Sequence, residues 1–114
     1  MKKPDALAAL AQENRLDVFR LLVEAGPDGM PAGSVAAALK LAPNTLTFHF
    51  DRLRDAGLVT VRREGRSMIY AARFDRMNAL LGYLTENCCQ GRAEQCAPAQ
   101  CAPATKARRQ TESV

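Results

Sequence analysis

Residues 43–56 read PNTLTFHFDRLRDA, and this stretch decides the fold. Leu46, Phe50 and Leu53 recur at the three- and four-residue intervals that place apolar side chains on one side of a helix. A proline opens the stretch and a glycine follows it, which suits the first turn of a helix and the position just after its end. The stretch therefore predicts a helix over Pro43–Ala56 with an apolar inner face and a more polar outer face.

A shorter helix is predicted just upstream, over Ala32–Leu39, where alanines dominate. Only residues 40–42 separate the two helices, and such a pair with a polar outer face on the second helix is typical of a helix-turn-helix. That second helix would enter the major groove of DNA. The outer residues expected to contact DNA are Asn44, Thr45, Thr47, Phe48, His49 and Arg52.

Two of these side chains have an alternative role. Phe48 could touch a thymine methyl group, or it could form an edge of the hydrophobic core. His49 could face DNA, or it could be a packed or capping histidine of the helix. A metal-binding role for His49 is not favoured, because it is the only histidine in the sequence.

Two β-rich runs follow, Leu58–Arg63 and Arg66–Tyr70, on either side of a Glu64-Gly65 turn. A helix-turn-helix followed by a hairpin is the element order of a winged helix. We therefore predict a mainly α fold with a β-hairpin, in the α+β class. Basic side chains at the hairpin tip would meet DNA phosphates or the minor groove, with a solvated charged tip as the alternative. These side chains are Arg62, Arg63 and Arg66.

Further helices flank this core: residues 5–13, Arg15–Ala25 and Phe74–Asn87. The last helix carries an apolar stripe that the winged core does not require. We therefore expect it to pack against a second copy, with the first helix as a second layer of a homodimer. The predicted interface residues are Leu7, Leu10, Phe74, Met77, Leu81 and Leu84.

The composition of the 114-residue chain is that of an ordinary globular protein, with 47% hydrophobic and 25% charged residues. Its net charge of +4 favours an acidic partner, most simply nucleic acid. No apolar run approaches the ~20 residues that span a bilayer, and no apolar signal region follows the first lysines. We therefore expect a cytoplasmic protein without enzymatic activity, in which cysteines stay reduced.

All four cysteines lie between Cys88 and Cys101, after the predicted winged core. Clustered cysteines in a reducing compartment indicate metal-binding or reactive thiols rather than disulfides. Cys96 and Cys101 each belong to a copy of the tandem repeat QCAPA. We predict a DNA-binding and dimerisation domain over residues 1–91 and a flexible tail over residues 92–114.

The sequence resembles the ArsR/SmtB family of winged-helix metalloregulatory repressors. The resemblance rests on LTFHF at 46–50, LRDAGLV at 53–59, REGR at 63–66 and NRL at 14–16. It implies a homodimer that represses its operator and releases it when a metal or metalloid binds.

Members of this family place their sensing sites differently. The Cys-x-Cys site before the recognition helix is missing, since residues 31–33 read PAG. The zinc site with histidines on the last helix is missing as well. Residues 83–89, YLTENCC, resemble the arsenite-responsive subgroup, in which Cys88, Cys89 and a third cysteine are the ligands. Cys96 is the predicted third ligand and Cys101 the alternative.

The resemblance implies As(III) as inducer of an arsenic-resistance operon, with Sb(III) as a second candidate and no organic cofactor. Soft sulfur ligands would also admit Hg(II) or Cd(II). Two other functions stay open. One is a thiol redox switch on the same scaffold, with Cys96 or Cys101 resolving an oxidised Cys88 or Cys89. The other is a thiol metal carrier that regulates no gene.

Overall fold

The computed structural model describes residues 2–91. Over this range the element order is that of a winged helix, so the predicted α+β class is confirmed. The elements are α1 Lys3–Leu10, α2 Glu13–Ala25, β1 Met30–Pro31, α3 Ala32–Leu39, α4 Pro43–Asp55, β2 Val59–Glu64, β3 Ser67–Ala72 and α5 Phe74–Thr85. A short turn, Cys88–Gly91, follows α5.

The first two helices meet at Gln12. Its side-chain Oε1 accepts a hydrogen bond from the backbone N–H of Arg15 at 2.9 Å, which satisfies one of the unpaired donors at a helix start. The second helix therefore begins at Glu13 rather than Arg15, and α1 has already ended at Leu10. The predicted range of 5–13 for the first helix extends too far.

The sheet has three antiparallel strands in the order β1–β3–β2. Tyr70 at its centre pairs with Met30 on one side and with Val61 on the other. The sequence predicted the hairpin but not β1, because two residues show no alternating pattern. Gly29, just before β1, has φ 77° and lies so close to the Tyr70 carbonyl that a Cβ there would clash. The pairing of β1 thus depends on close approach rather than on strand propensity.

The last helix contributes to the core. Leu80 is 4% exposed, and Phe74 and Met77 are half-buried against the core, as is Leu10 of α1. The prediction that the winged core closes without the last helix is therefore wrong. Of the predicted interface residues, the ones that remain well exposed are Leu7, Leu81 and Leu84.

The chain divides into two units after Leu84. The winged helix belongs to the first unit. The predicted tail, 92–114, lies outside the described residues, and so do Cys96 and Cys101. A domain boundary after residue 91 therefore stays a prediction.

Replacing Phe50 by Ala should lower the free energy of unfolding by about 3–5 kcal/mol, the usual cost of removing a buried aromatic ring. Phe50 is 1% exposed and its ring stacks on Tyr70. Urea denaturation followed by circular dichroism, at one fixed protein concentration, measures the loss. Phe48→Ala is the matched control, since Phe48 is 51% exposed, and should cost about 0.5 kcal/mol or less. Equal losses in the two variants would show that the core is assigned wrongly.

Candidate nucleic-acid interface and thiol site

The orientation of α4 is set by the apolar stripe that the sequence predicted. Leu46, Phe50 and Leu53 are each at most 2% exposed. The Phe50 ring stacks on Tyr70 of β3, with 3.6 Å between ring centroids and 5° between ring planes. This contact joins the helix-turn-helix to the hairpin, and it turns the opposite side of α4 outward.

The outward side of α4 presents the polar residues predicted to contact DNA. Asn44, Thr45, Thr47 and Arg52 are all exposed. The Thr47 hydroxyl donates to the Pro43 carbonyl at 2.9 Å, one helical turn earlier. Its proton is therefore used within the helix, and its methyl group and oxygen lone pairs are the parts that a base edge could meet.

Phe48 is an exposed aromatic residue on the surface and is not part of the core. Its side chain is 51% exposed, and the Arg52 guanidinium lies 5.1 Å from its ring centroid. The exposure decides the alternative left open by the sequence, since a core residue would be buried. The pair borders an open groove of about 560 Å³ whose wall also includes Arg15 and Asp55. An aromatic ring with a guanidinium over it can stack on a base or pack against a sugar.

His49 lies on the buried side of α4, which contradicts its predicted contact with DNA. It is 5% exposed, because it sits three residues after Leu46 and one before Phe50, within the arc of the helix that packs inward. Within residues 2–91, neither ring nitrogen has a hydrogen-bond partner. Burial lowers the pKa of His49, and the charge of Arg15 lowers this pKa further. The lowered pKa favours the neutral imidazole over the imidazolium.

The hairpin carries its arginines in two different settings. Arg63 is exposed near the tip, and its Nε–H donates to the Gly65 carbonyl at 3.1 Å. Arg66 is exposed in the turn itself. Arg62 instead points back toward the body of the domain: its Nη2 donates to the Asp28 carbonyl at 2.9 Å. The sequence grouped the three together and missed this link, which joins residues 34 positions apart.

The two described cysteines lie in the second unit, in the turn after α5. Cys88 is half-buried and Cys89 is exposed. The backbone at Cys89 is left-handed, with φ 53°, an uncommon conformation for a residue other than glycine. Among residues 2–91, no three His, Cys, Asp or Glu side chains come together as a metal site. The predicted third ligand, Cys96 or Cys101, lies beyond that range.

The geometry defines the class of the protein. A helix with an exposed polar face, next to a hairpin with arginines at its tip, is a winged-helix surface for duplex DNA. Within the described part of the chain, no helix is long and apolar enough to cross a membrane.

Comparison with known proteins defines the family. The model of a helix-turn-helix domain matches residues 10–62. The uncharacterized HTH-type transcriptional regulator YceK of Bacillus subtilis (strain 168) is 32% identical over 77 residues, which are 67% of this chain and 76% of YceK. The chain belongs to the helix-turn-helix transcriptional regulators.

Solved structures agree with the fold. NolR from Sinorhizobium fredii superposes with a TM-score of 0.59 at 30% identity, covering 73% of this chain and 80% of NolR. An ArsR-like transcriptional regulator from Rhodococcus sp. RHA1 gives a TM-score of 0.65 at 24% identity, covering 82% and 84%. This chain therefore shares the fold of ArsR-like regulators. That its relatives are regulators agrees with the expectation that it is not an enzyme.

His49 should make stability depend on pH. Its pKa is lower in the folded chain than the ordinary 6.5, so the unfolded chain binds the proton first as the pH falls. The contribution of His49 is complete above about pH 6.5 and is lost as the pH drops toward the folded pKa. His49→Phe should remove this dependence, because phenylalanine does not titrate. The substitution breaks no hydrogen bond seen within residues 2–91, since neither nitrogen of the buried His49 ring has a partner there. Urea unfolding at about pH 7.5 and 5.5 measures the difference; the wild type should lose more stability than the variant, and parallel losses would contradict the assignment.

Proposed function

We propose that this regulator is a homodimeric repressor of the ArsR/SmtB type, which controls an arsenic-resistance operon and releases its operator when As(III) occupies a cysteine site. The observation that carries the DNA-binding half is the exposed polar face of α4 beside the basic hairpin. The observation that supports the sensing half is the pair Cys88-Cys89, which follows α5 in a turn with a left-handed backbone.

In the DNA complex the outer face of α4 would lie in the major groove. Asn44, Thr45 and Thr47 would meet base edges there, because they are exposed in the first turns of the helix. Arg52 would meet the phosphate backbone, with Phe48 against a base or sugar. Arg63 and Arg66 of the hairpin would meet phosphates or the minor groove. The net charge of +4 assists the approach to DNA.

A homodimer is supported by the apolar residues that α1 and α5 leave exposed. Leu7 is 42%, Leu81 51% and Leu84 55% exposed. Exposed apolar side chains grouped on two helices usually mark an interaction surface. With two-fold symmetry, the two copies of α4 would read two half-sites of the operator.

The donor set fits a soft trivalent ion. Cys88 and Cys89 supply two sulfurs from adjacent residues, whose α-carbons lie about 3.8 Å apart. Cys96 is the proposed third ligand, with Cys101 as the alternative. Sulfur ligands select soft ions, so Sb(III) is a second candidate inducer. A bound ion would pull the three thiolates together and would fix the chain that follows α5.

Coupling between sensing and DNA release would run through the chain itself. α5 ends at Thr85, and Cys88 follows three residues later. Fixing Cys88 and Cys89 would therefore change the packing of the helix that also carries the exposed Leu81 and Leu84. Typical coupling free energies of ~1–3 kcal/mol correspond to a loss of DNA affinity of about 5- to 150-fold.

The exposure of Cys89 favours a second candidate, a thiol redox switch on the same scaffold. An accessible thiol with nearby cysteines can be oxidised to a sulfenic acid and then form a disulfide. A thiol carrier without gene control is not favoured, because the chain belongs to the transcriptional regulators.

Arsenite should weaken binding of the wild-type protein to a duplex that the protein selects from a random pool. Under reducing conditions, the loss of affinity should be about 5- to 150-fold. Cys88→Ser and Cys89→Ser should bind the same duplex as tightly as wild type but should not respond to arsenite. Fluorescence anisotropy of a labelled duplex measures both properties.

Cys101→Ser is the matched control and should keep the response, whereas Cys96→Ser should lose it. If both Cys88→Ser and Cys89→Ser released the duplex at the wild-type arsenite concentration, the sensing proposal would be wrong. Release by hydrogen peroxide without reductant, combined with no release by arsenite, would favour the redox switch. If no duplex were selected, the DNA-binding surface would be assigned wrongly.

A further inference from the structure

Arg62 makes two hydrogen bonds that hold its guanidinium in place. Its Nε donates to a Glu64 carboxylate oxygen at 2.7 Å, and its Nη2 donates to the Asp28 carbonyl at 2.9 Å. Asp28 lies 34 residues earlier, in the loop between α2 and β1. One side chain thus links the hairpin to a separate part of the domain.

The loop that receives this hydrogen bond is itself firmly held. The Gly29 N–H donates to the Gly26 carbonyl at 3.1 Å, which closes the turn around Asp28. A Cβ at Gly29 would clash with the Tyr70 carbonyl, so the loop lies directly against β3. The Asp28 carbonyl is therefore a fixed anchor rather than part of a loose loop.

Arg62 is also placed at the last well-supported position of the hairpin. It pairs across the ladder with Ile69, which is buried and pairs on its other side with Pro31 of β1. Closer to the tip, the described residues include no third strand beside β2 and β3. A two-stranded ribbon is only marginally stable without further packing. The Arg62 side chain therefore ties down the base of a tip that has little other support.

From this geometry we infer that Arg62 is a positioning residue, which holds the hairpin tip in the orientation that DNA requires, and is not itself a phosphate contact. The inference rests on the proposed DNA-binding surface. A phosphate would have to compete with the Glu64 carboxylate, which already pairs with the Arg62 guanidinium, and with the Asp28 carbonyl. Arg66 has neither of these two partners and stays, with Arg63, a proposed phosphate contact of the tip.

Two kinds of measurement separate these roles. Hydrogen exchange of residues 63–68, in the protein without DNA, reports whether the tip is held. The dependence of operator affinity on salt reports how many phosphates are neutralised, since each contact makes the slope of log affinity against log salt concentration about 0.9 more negative. The DNA probe is the duplex that the wild-type protein selects from a random pool.

Arg62→Met keeps an apolar stem at the position opposite Ile69 in the ladder and removes both donors. It should speed exchange at the tip several-fold. It should also weaken DNA binding about 3- to 10-fold, the cost of ordering a tip that is no longer held, with the salt slope changed by less than about 0.3. Arg66→Met removes the same charge and is the matched control. Its tip should exchange as in wild type, and its salt slope should become about 0.9 less negative.

Arg62→Lys provides a third variant. Lysine restores the charge and can bind a phosphate, but it lacks the planar group that spans Glu64 and Asp28. Its tip should exchange as fast as that of Arg62→Met, and its affinity should stay reduced. The inference would be overturned if the tip of Arg62→Met exchanged as slowly as that of the wild type. It would also be overturned if the salt slope of Arg62→Met changed as much as that of Arg66→Met, or if Arg62→Lys bound DNA with wild-type affinity. If no duplex were selected, the proposed DNA surface would fail, and the exchange measurement would still decide whether Arg62 holds the tip.

Discussion

The stacking of Phe50 on Tyr70 is the contact on which the rest of the structure depends. Phe50 belongs to α4 and Tyr70 to β3, and their rings lie nearly parallel at 3.6 Å between centroids. This buried aromatic pair sets the placement of α4 relative to the hairpin, and these are the two elements that would contact DNA. Because close-packed protein cores allow few alternative arrangements, the outer face of α4 and the hairpin tip form one surface rather than two independent elements.

Much of this arrangement could be predicted from the sequence, because α4 and the hairpin follow strong local patterns. The inward stripe of Leu46, Phe50 and Leu53 was confirmed. His49 was assigned to the wrong face because polarity was weighed above its position on the helix, beside Phe50. The strand β1 and the link from Arg62 to Asp28 could not be predicted, since both depend on residues far apart in sequence. The core role of Leu80 was missed because its helix carries apolar residues on more than one side.

The proposed sensing site is supported mainly by the spacing of the cysteines in the sequence, whereas the proposed DNA-binding surface is supported by the structure as well. Adjacent cysteines can share an ion without any distant folding, so Cys88 and Cys89 are credible ligands from spacing alone. The structure adds that Cys89 is exposed and adopts a left-handed backbone. Uncommon backbone conformations often occur where a segment changes state.

The central claim is that DNA binds the outer face of α4 together with the hairpin tip. The most direct test is a titration of the ¹⁵N-labelled full chain with the duplex that it selects, followed by backbone amide chemical shifts. The account predicts that the largest shift changes fall at Asn44–Thr47 and at Arg63–Ser67, with small changes at Leu7 and Leu84. Changes confined to α1 and α5, with the first turns of α4 unaffected, would contradict it.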